Sequence, residues 1–219
     1  DRTMGGMLRS EAVTEVHRNP GSGAEPGGTP VARLETQGAI AGVDVLDLDG
    51  DGRSEIFQTL LDFNAIQMVR FVVTGRARVD FVALALDAEA PNGLRETWRD
   101  HVSLVLDWET GRIAGIFPDL RGDWNGDGRP DLVHADGDRG IAIRLGEDTK
   151  TGPGFGRKAA SQPFPREAAS LEAVDLDGDG LGDLVAWDPR SDAGRVFVLR
   201  NRGVLEGTPA QPELHAPEA

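Results

Sequence analysis

Three short stretches of this 219-residue chain repeat one arrangement of oxygen donors. They are Asp47-Leu48-Asp49-Gly50-Asp51-Gly52-Arg53-Ser54-Glu55, Asp123-Trp124-Asn125-Gly126-Asp127-Gly128-Arg129-Pro130-Asp131 and Asp175-Leu176-Asp177-Gly178-Asp179-Gly180-Leu181-Gly182-Asp183. In each, carboxylate or amide side chains fall at positions 1, 3, 5 and 9, with glycine at 4 and 6. Glycine accepts left-handed backbone at little cost, so two of them this close let the chain curl tightly. Such a curl aims several carboxylates at one centre, where their repulsion opposes the loop unless a cation sits among them. The chemistry is therefore metal binding by hard oxygen donors. Ca²⁺ suits it, because that ion takes six to eight oxygens in flexible geometry.

The surroundings of the loops narrow their type. A helix–loop–helix calcium site needs a bidentate Glu at position 12 and a helix on each side. Position 12 is Gln58, His134 or Ala186. Each ninth residue instead opens a short apolar run: Ile56-Phe57, Leu132-Val133-His134-Ala135 and Leu184-Val185-Ala186-Trp187. These runs are short, rich in β-branched or aromatic residues and soon reach turn residues, so they predict strands. The repeating unit is a loop followed by a strand.

A chain reading Asp-x-Asp/Asn-Gly-Asp-Gly-x-x-Asp/Glu before an apolar strand resembles the FG-GAP/VCBS repeat of integrin-α-like β-propellers. The resemblance covers the three loops and their following strands. It implies an all-β fold of about three to four propeller blades, a partial ring or part of a larger one, with a Ca²⁺ in each of three interstrand loops. The implied side-chain ligands are Asp47, Asp49, Asp51 and Glu55, then Asp123, Asn125, Asp127 and Asp131, then Asp175, Asp177, Asp179 and Asp183. The backbone carbonyls of Arg53, Arg129 and Leu181, at position 7, complete the implied sets.

The elements that must position these loops follow from the chain in order. Residues 1–30 form an N-terminal segment and linker. Met7, Leu8, Val13 and Val16 suit either an edge strand or a short helix, and 19–30 is rich in Gly and Pro. Residues 31–204 hold the blades, and 205–219 form a polar tail. Ile40, Val43 and Val45 predict a strand into the first loop. Between the first and second loops, Glu55–Asp62, Ala65–Val73 and Ala77–Asp87 read as β-like runs, the last two joined by a hairpin turn at Thr74-Gly75-Arg76. His101–Trp108 and Arg112–Phe117 follow, turning at Glu109-Thr110-Gly111. The whole reads as one enlarged blade, with a separate blade lacking its loop as the alternative. Hairpins Asp131–Ala135/Ile141–Leu145 and Asp183–Trp187/Arg195–Arg200 follow the second and third loops. Gly152–Lys158 lacks the ending of a phosphate-binding loop and reads as a connection that buries Phe155.

Composition sets the outer bounds. The net charge of -14 opposes a general nucleic-acid partner, since phosphate binding needs a basic face. Three bound divalent cations would cancel six of these charges. Cysteine is absent, which removes disulfide and thiolate chemistry. No apolar run reaches the ~18 residues of a membrane span. The chain begins at Asp1 rather than Met, which suggests a piece of a longer protein. His17, His101, His134 and His215 share no ligand spacing, and no Ser/His/Asp grouping can be placed. The acidic turn at Asp136 and Asp138 reads as solvated. Arg121-Gly122-Asp123 spells a recognition tripeptide, but Asp123 opens a metal loop. Trp108, Trp124 and Trp187 read as packing between blades, with sugar stacking as the alternative.

The expected function is a non-catalytic, calcium-stabilised binding or scaffold module, exported to the cell surface, periplasm or extracellular space. Its ligand would be a protein or glycan, or further blades of the same longer chain. The alternatives are a lectin-like propeller and a propeller hydrolase or lyase.

Overall fold

The computed structural model describes residues 11–18, 28–61, 64–107, 112–114, 118–136, 140–165, 168, 170–188, 194–203 and 214–215. The expected Met7-Leu8 segment, most of the linker at 19–27, Trp108, the turn at 109–111, Phe117, Asp138 and most of the tail lie outside these residues. The architecture is all-β apart from one helix, in antiparallel sheets of which none closes on itself.

Strand β1 (Glu11–Val16) pairs with β2 (Ala32–Gln37) as a hairpin, so residues ahead of the boundary drawn at 31 join the folded body. The first large sheet comprises β3 (Ala39–Leu46), β4 (Glu55–Leu61), β5 (Arg76–Leu86), β6 (Leu94–Asp107) and β7 (Arg112–Ala114), side by side in chain order. The long runs between the first two loops therefore belong to a single sheet. The second sheet takes β8 (Asp119–Gly122), β9 (Asp131–Asp136) and β10 (Gly140–Arg144). A separate hairpin of β11 (Gly146–Thr149) and β12 (Gly152–Phe155) then intervenes, and β13 (Ala160–Pro163) returns to β10. The third sheet is β14 (Ser170–Val174), β15 (Asp183–Trp187), β16 (Val196–Asn201) and β17 (Leu214–His215).

Two expectations need correction. Ala65–Val73 is not a strand: Ala65–Thr74 is a helix, α1. Its many β-branched residues favour strand, but the ends decide for helix. Asn64 is an N-cap whose side chain accepts the Gln67 N–H at 2.9 Å. Gly75 takes left-handed backbone at φ 66° and donates its N–H to Phe71 O, so Thr74-Gly75-Arg76 is a helix terminus rather than a hairpin turn. Ile66, Val69, Val72 and Val73 are left exposed. Gly152–Phe155 is likewise a strand rather than a connection. Phe155 is buried as expected, edge-on to Trp98 at 5.1 Å between ring centroids and to Phe57 at 5.8 Å.

Each metal-type loop joins the first two strands of a large sheet, and each following strand begins at position 9. The register repeats: Leu46 pairs with Glu55, Gly122 with Asp131 and Val174 with Asp183. Alternation along the strand then sends position 10 to one side of the sheet and position 11 to the other. Ile56 packs back against the β1–β2 hairpin, beside a cluster of Ala12, Ala32, Leu60 and Val82. Phe57 points forward into a cluster with Leu48, joined from the second sheet by Leu120 and Leu132. Val133 and Trp124 point forward again, to meet Ala173, Leu184 and Ala186 of the third sheet. The two interfaces between large sheets thus take positions 2 and 11 from the sheet behind and position 10 from the sheet in front.

Full burial of such a side chain contributes roughly 1.5–3 kcal/mol, and a truncated aromatic leaves a cavity besides. Trp124→Ala should destabilise the protein by about 3–5 kcal/mol. Leu176→Ala, at the same loop position but exposed, should cost under about 1 kcal/mol. Denaturant unfolding of both variants checks this, and equal losses would contradict the interface assignment.

Candidate metal centre

The three loops share one hydrogen-bond scheme. The position 1 carboxylate reaches across the curl to accept the N–H groups of positions 4 and 6. Asp47 accepts from Gly50 at 2.7 Å and Gly52 at 2.8 Å, Asp123 from Gly126 and Gly128 at 2.7 Å each, and Asp175 from Gly178 at 2.7 Å and Gly180 at 3.0 Å. The position 5 carboxylate accepts the position 7 N–H, so Asp51 is bonded to Arg53, Asp127 to Arg129 and Asp179 to Leu181. The glycines carry the strain that this fold of the backbone requires. Position 4 has φ of 78, 74 and 78° at Gly50, Gly126 and Gly178, and position 6 has 84, 84 and 89° at Gly52, Gly128 and Gly180.

Position 9 behaves differently from the other donors. It is buried in every loop, and it accepts the N–H of position 2. Glu55 binds Leu48 N–H at 2.9 Å, Asp131 binds Trp124 N–H at 2.7 Å and Asp183 binds Leu176 N–H at 3.1 Å. The second oxygen of Asp131 accepts Gly146 N–H at 2.7 Å, and that of Asp183 accepts Asn201 N–H at 2.8 Å. One carboxylate therefore closes its loop and fastens it to a strand further along the chain.

These contacts decide which donors converge. Oxygens of Asp47, Asp49 and Asp51 lie within 4.8 Å of one another, and so do those of Asp175, Asp177 and Asp183. Glu55 stands apart from the first group and Asp179 from the second. Among the described residues the second loop forms no such triad of acids, because Asn125 takes the place of one. The Asn125 amide instead donates to Asp127 at 2.9 Å. The clusters suit a hard divalent cation by donor type, since every converging atom is a carboxylate oxygen.

Electrostatics differ between exposed and buried members. The N–H of Gly52, foremost among several donors, holds Asp47 below the usual carboxylate range. Burial raises Glu55, and the negative charges of Asp49, Asp51 and Asp47 add to it. Burial also pushes Asp131 to about 7, against the pull of the Gly146 and Trp124 N–H groups.

Two partners of the site carry no motif. Asn201, buried, donates from its amide to Trp124 O at 2.9 Å while its N–H serves Asp183, so it bridges the second and third loops. Gly182 donates its N–H to Asp123 O at 2.6 Å, and a Cβ there would stand 3.0 Å from Gly122 Cα. Only the three-dimensional apposition of the loops makes these residues visible. Asp119 and Arg121 form a further ionic group, joined by Glu172 through Arg121 at 2.8 Å. Asp119 also accepts Ala173 N–H at 3.1 Å, which ties β8 to β14. Arg121 is thereby engaged within the fold.

The raised Asp131 has a measurable consequence for metal-free protein. Its ordinary value is 3.8 and its folded value about 7, so ionisation is harder in the folded chain. Its contribution to stability is fully present below about pH 4 and is lost as pH rises through about 7. With chelator present, the unfolding midpoint of the parent should fall across this window and that of Asp131→Asn should fall less. Parallel profiles for the two proteins would contradict the assignment.

Residues 123–186 match the family model of the FG-GAP-like repeat. The match opens at position 1 of the second loop and runs past the third, so it spans two loops with β9 to β14 between them. No curated protein and no solved structure matches the chain. Among the described residues no helix is long and apolar enough to cross a membrane. Over residues 123–186 the chain is thus similar to an FG-GAP-like repeat, within a β-rich fold.

Proposed function

We propose that the protein is a calcium-stabilised propeller-type module that binds a protein or glycan partner and performs no catalysis. The observation that carries this reading is the recurrence of one hydrogen-bond scheme in three acidic loops, each at the same register of its sheet. A motif repeated with its hydrogen bonds intact serves the scaffold, whereas a catalytic group is needed once. Ca²⁺ would be held by carboxylates of positions 1, 3 and 5 in the first loop and 1, 3 and 9 in the third, the groups that already converge. In the second loop it would draw on Asp123, Asp127 and the Asn125 oxygen. When bound, the ion supplies positive charge that offsets carboxylate repulsion. The loops would then hold strands in register while turns elsewhere meet the partner. Trp124 is fully buried, which removes it as a stacking platform and weakens the lectin alternative. Sites of this kind work at extracellular calcium levels, so we place the module outside the cytoplasm.

Calcium titration tests the reading. Three equivalents should bind, and at about 100 times Kd each independent site adds ~2.7 kcal/mol to unfolding. Melting should therefore shift upward in excess Ca²⁺ and downward in chelator. A melt indifferent to both, with metal removal confirmed, would overturn it. Among Asp51→Ala, Asp127→Ala and Asp177→Ala, the variant of the second loop should leave the tightest binding step in place, because that loop has one carboxylate fewer. Loss of the tightest step in Asp127→Ala would show that rigidity near Pro130, rather than charge, sets affinity.

A further inference from the structure

The third loop differs from the other two in a neighbour that lies outside the motif. Arg200, on β16, donates from Nη1 to Oδ2 of Asp177 at 3.3 Å. Asp177 is one of the three acids whose oxygens converge there, with Asp175 and Asp183. A cationic side chain thus sits on a donor of this loop. Among the described residues no Arg or Lys side chain bonds a donor of the first or second loop. Arg129, inside the second loop, turns instead to Asp148 at 3.3 Å.

Register explains the difference. Position 10 pairs with Leu84 in the first sheet, Arg144 in the second and Leu199 in the third. One residue further along, opposite position 9, come Ala85, Leu145 and Arg200. Of these three only Arg200 is charged. The Asn201 N–H bonds Asp183 at 2.8 Å, which holds the backbone of its neighbour Arg200 beside the loop.

On the basis of the calcium reading, we propose that Arg200 competes with the metal of the third loop. In metal-free protein it offsets part of the charge of the acid triad, and it gives up Asp177 when a divalent cation binds. Two effects act in the same direction. A carboxylate oxygen engaged by a guanidinium N–H is less available to a cation, and the charge of the guanidinium repels one. Neither effect blocks binding. The Arg200 side chain is 53% exposed and that of Asp177 31%, so water screens the pair and Arg200 can swing outward. The third loop therefore binds about three- to tenfold more weakly than its own acids would allow. The first loop, whose triad meets no such cation among the described residues, is free of this competition.

Amide NMR of the full chain during a Ca²⁺ titration reads the loops separately. Gly50 and Gly52 report the first, and Gly178 and Gly180 the third, since their N–H groups bind the position 1 acids. In Arg200→Gln the midpoint at Gly178 and Gly180 should fall about three- to tenfold in 0.1 M salt. The midpoint at Gly50 and Gly52 should stay. Arg200→Lys, which keeps the charge, should recover most of the parent's midpoint. Arg195→Gln changes the net charge equally from the other end of β16. It lies five residues away, roughly 16 Å along the strand, beyond a Debye length of about 10 Å, so both midpoints should hold. In 1 M salt, where that length is about 3 Å, the gap between Arg200→Gln and the parent should narrow. Melting supplies a second readout: Arg200→Gln should melt at or below the parent in chelator and above it in excess Ca²⁺. An unchanged third-loop midpoint in Arg200→Gln, with the parent's glycines responding to Ca²⁺, would overturn the proposal and leave the calcium reading standing. An equal shift in Arg195→Gln would overturn it too, by showing net charge alone at work. Glycine amides in the parent that ignore saturating Ca²⁺ would overturn both.

Discussion

The contact on which this structure depends is the hydrogen bond from the N–H of position 2 to the carboxylate of position 9. It occurs three times, at Glu55, Asp131 and Asp183, and it links two tasks that the sequence lists separately. On one side it closes the loop that carries the oxygen donors. On the other it fixes the backbone from which Leu48 or Trp124 enters the core between sheets. The acid must be buried to do this, and burial makes its charge costly. Each of these carboxylates therefore stands between the chemistry of the loop and the packing of the fold.

The loops resolve the resulting conflict by grading their acids. The carboxylate of Asp47, at position 1, accepts several backbone N–H groups that favour its ionised form. At position 9 of the second loop, burial outweighs the pull of two backbone N–H groups, so Asp131 holds its proton to about 7. A motif written as four equivalent donors is therefore chemically unequal: three side chains at the surface and one in the interior. The first and third loops, which gather different triads, show how far small shifts in this arrangement redistribute the converging oxygens.

What was legible in the sequence was whatever local geometry dictates. The glycine spacing foretold left-handed backbone at positions 4 and 6. The apolar runs foretold strands starting at Glu55, Asp131 and Asp183, and the two later hairpins. The miss at Ala65–Thr74 has a definite cause. Valine and isoleucine favour strand by side-chain crowding, but two caps, Asn64 and Gly75, supply the terminal hydrogen bonds that a short helix needs. The caps were in the sequence, and Gly75 suited a turn equally well. Asn201 and Gly182 were illegible for another reason. Their partners, Trp124 and Asp123, are more than fifty residues away, and no local pattern records such a contact.

The alternation of positions 10 and 11 also bears on how the chain shares its stability. Among the described residues, three buried clusters lie between four successive layers, each cluster joining two neighbours. Such a chain behaves as a one-dimensional array, with intrinsic terms for each layer and nearest-neighbour terms between them. The first and second sheets each draw on two neighbour terms. The β1–β2 hairpin and the third sheet, at the ends, draw on one. A defect in a middle cluster is therefore felt by the layers on both sides, so the second sheet, which carries the second loop, answers to changes in two clusters at once.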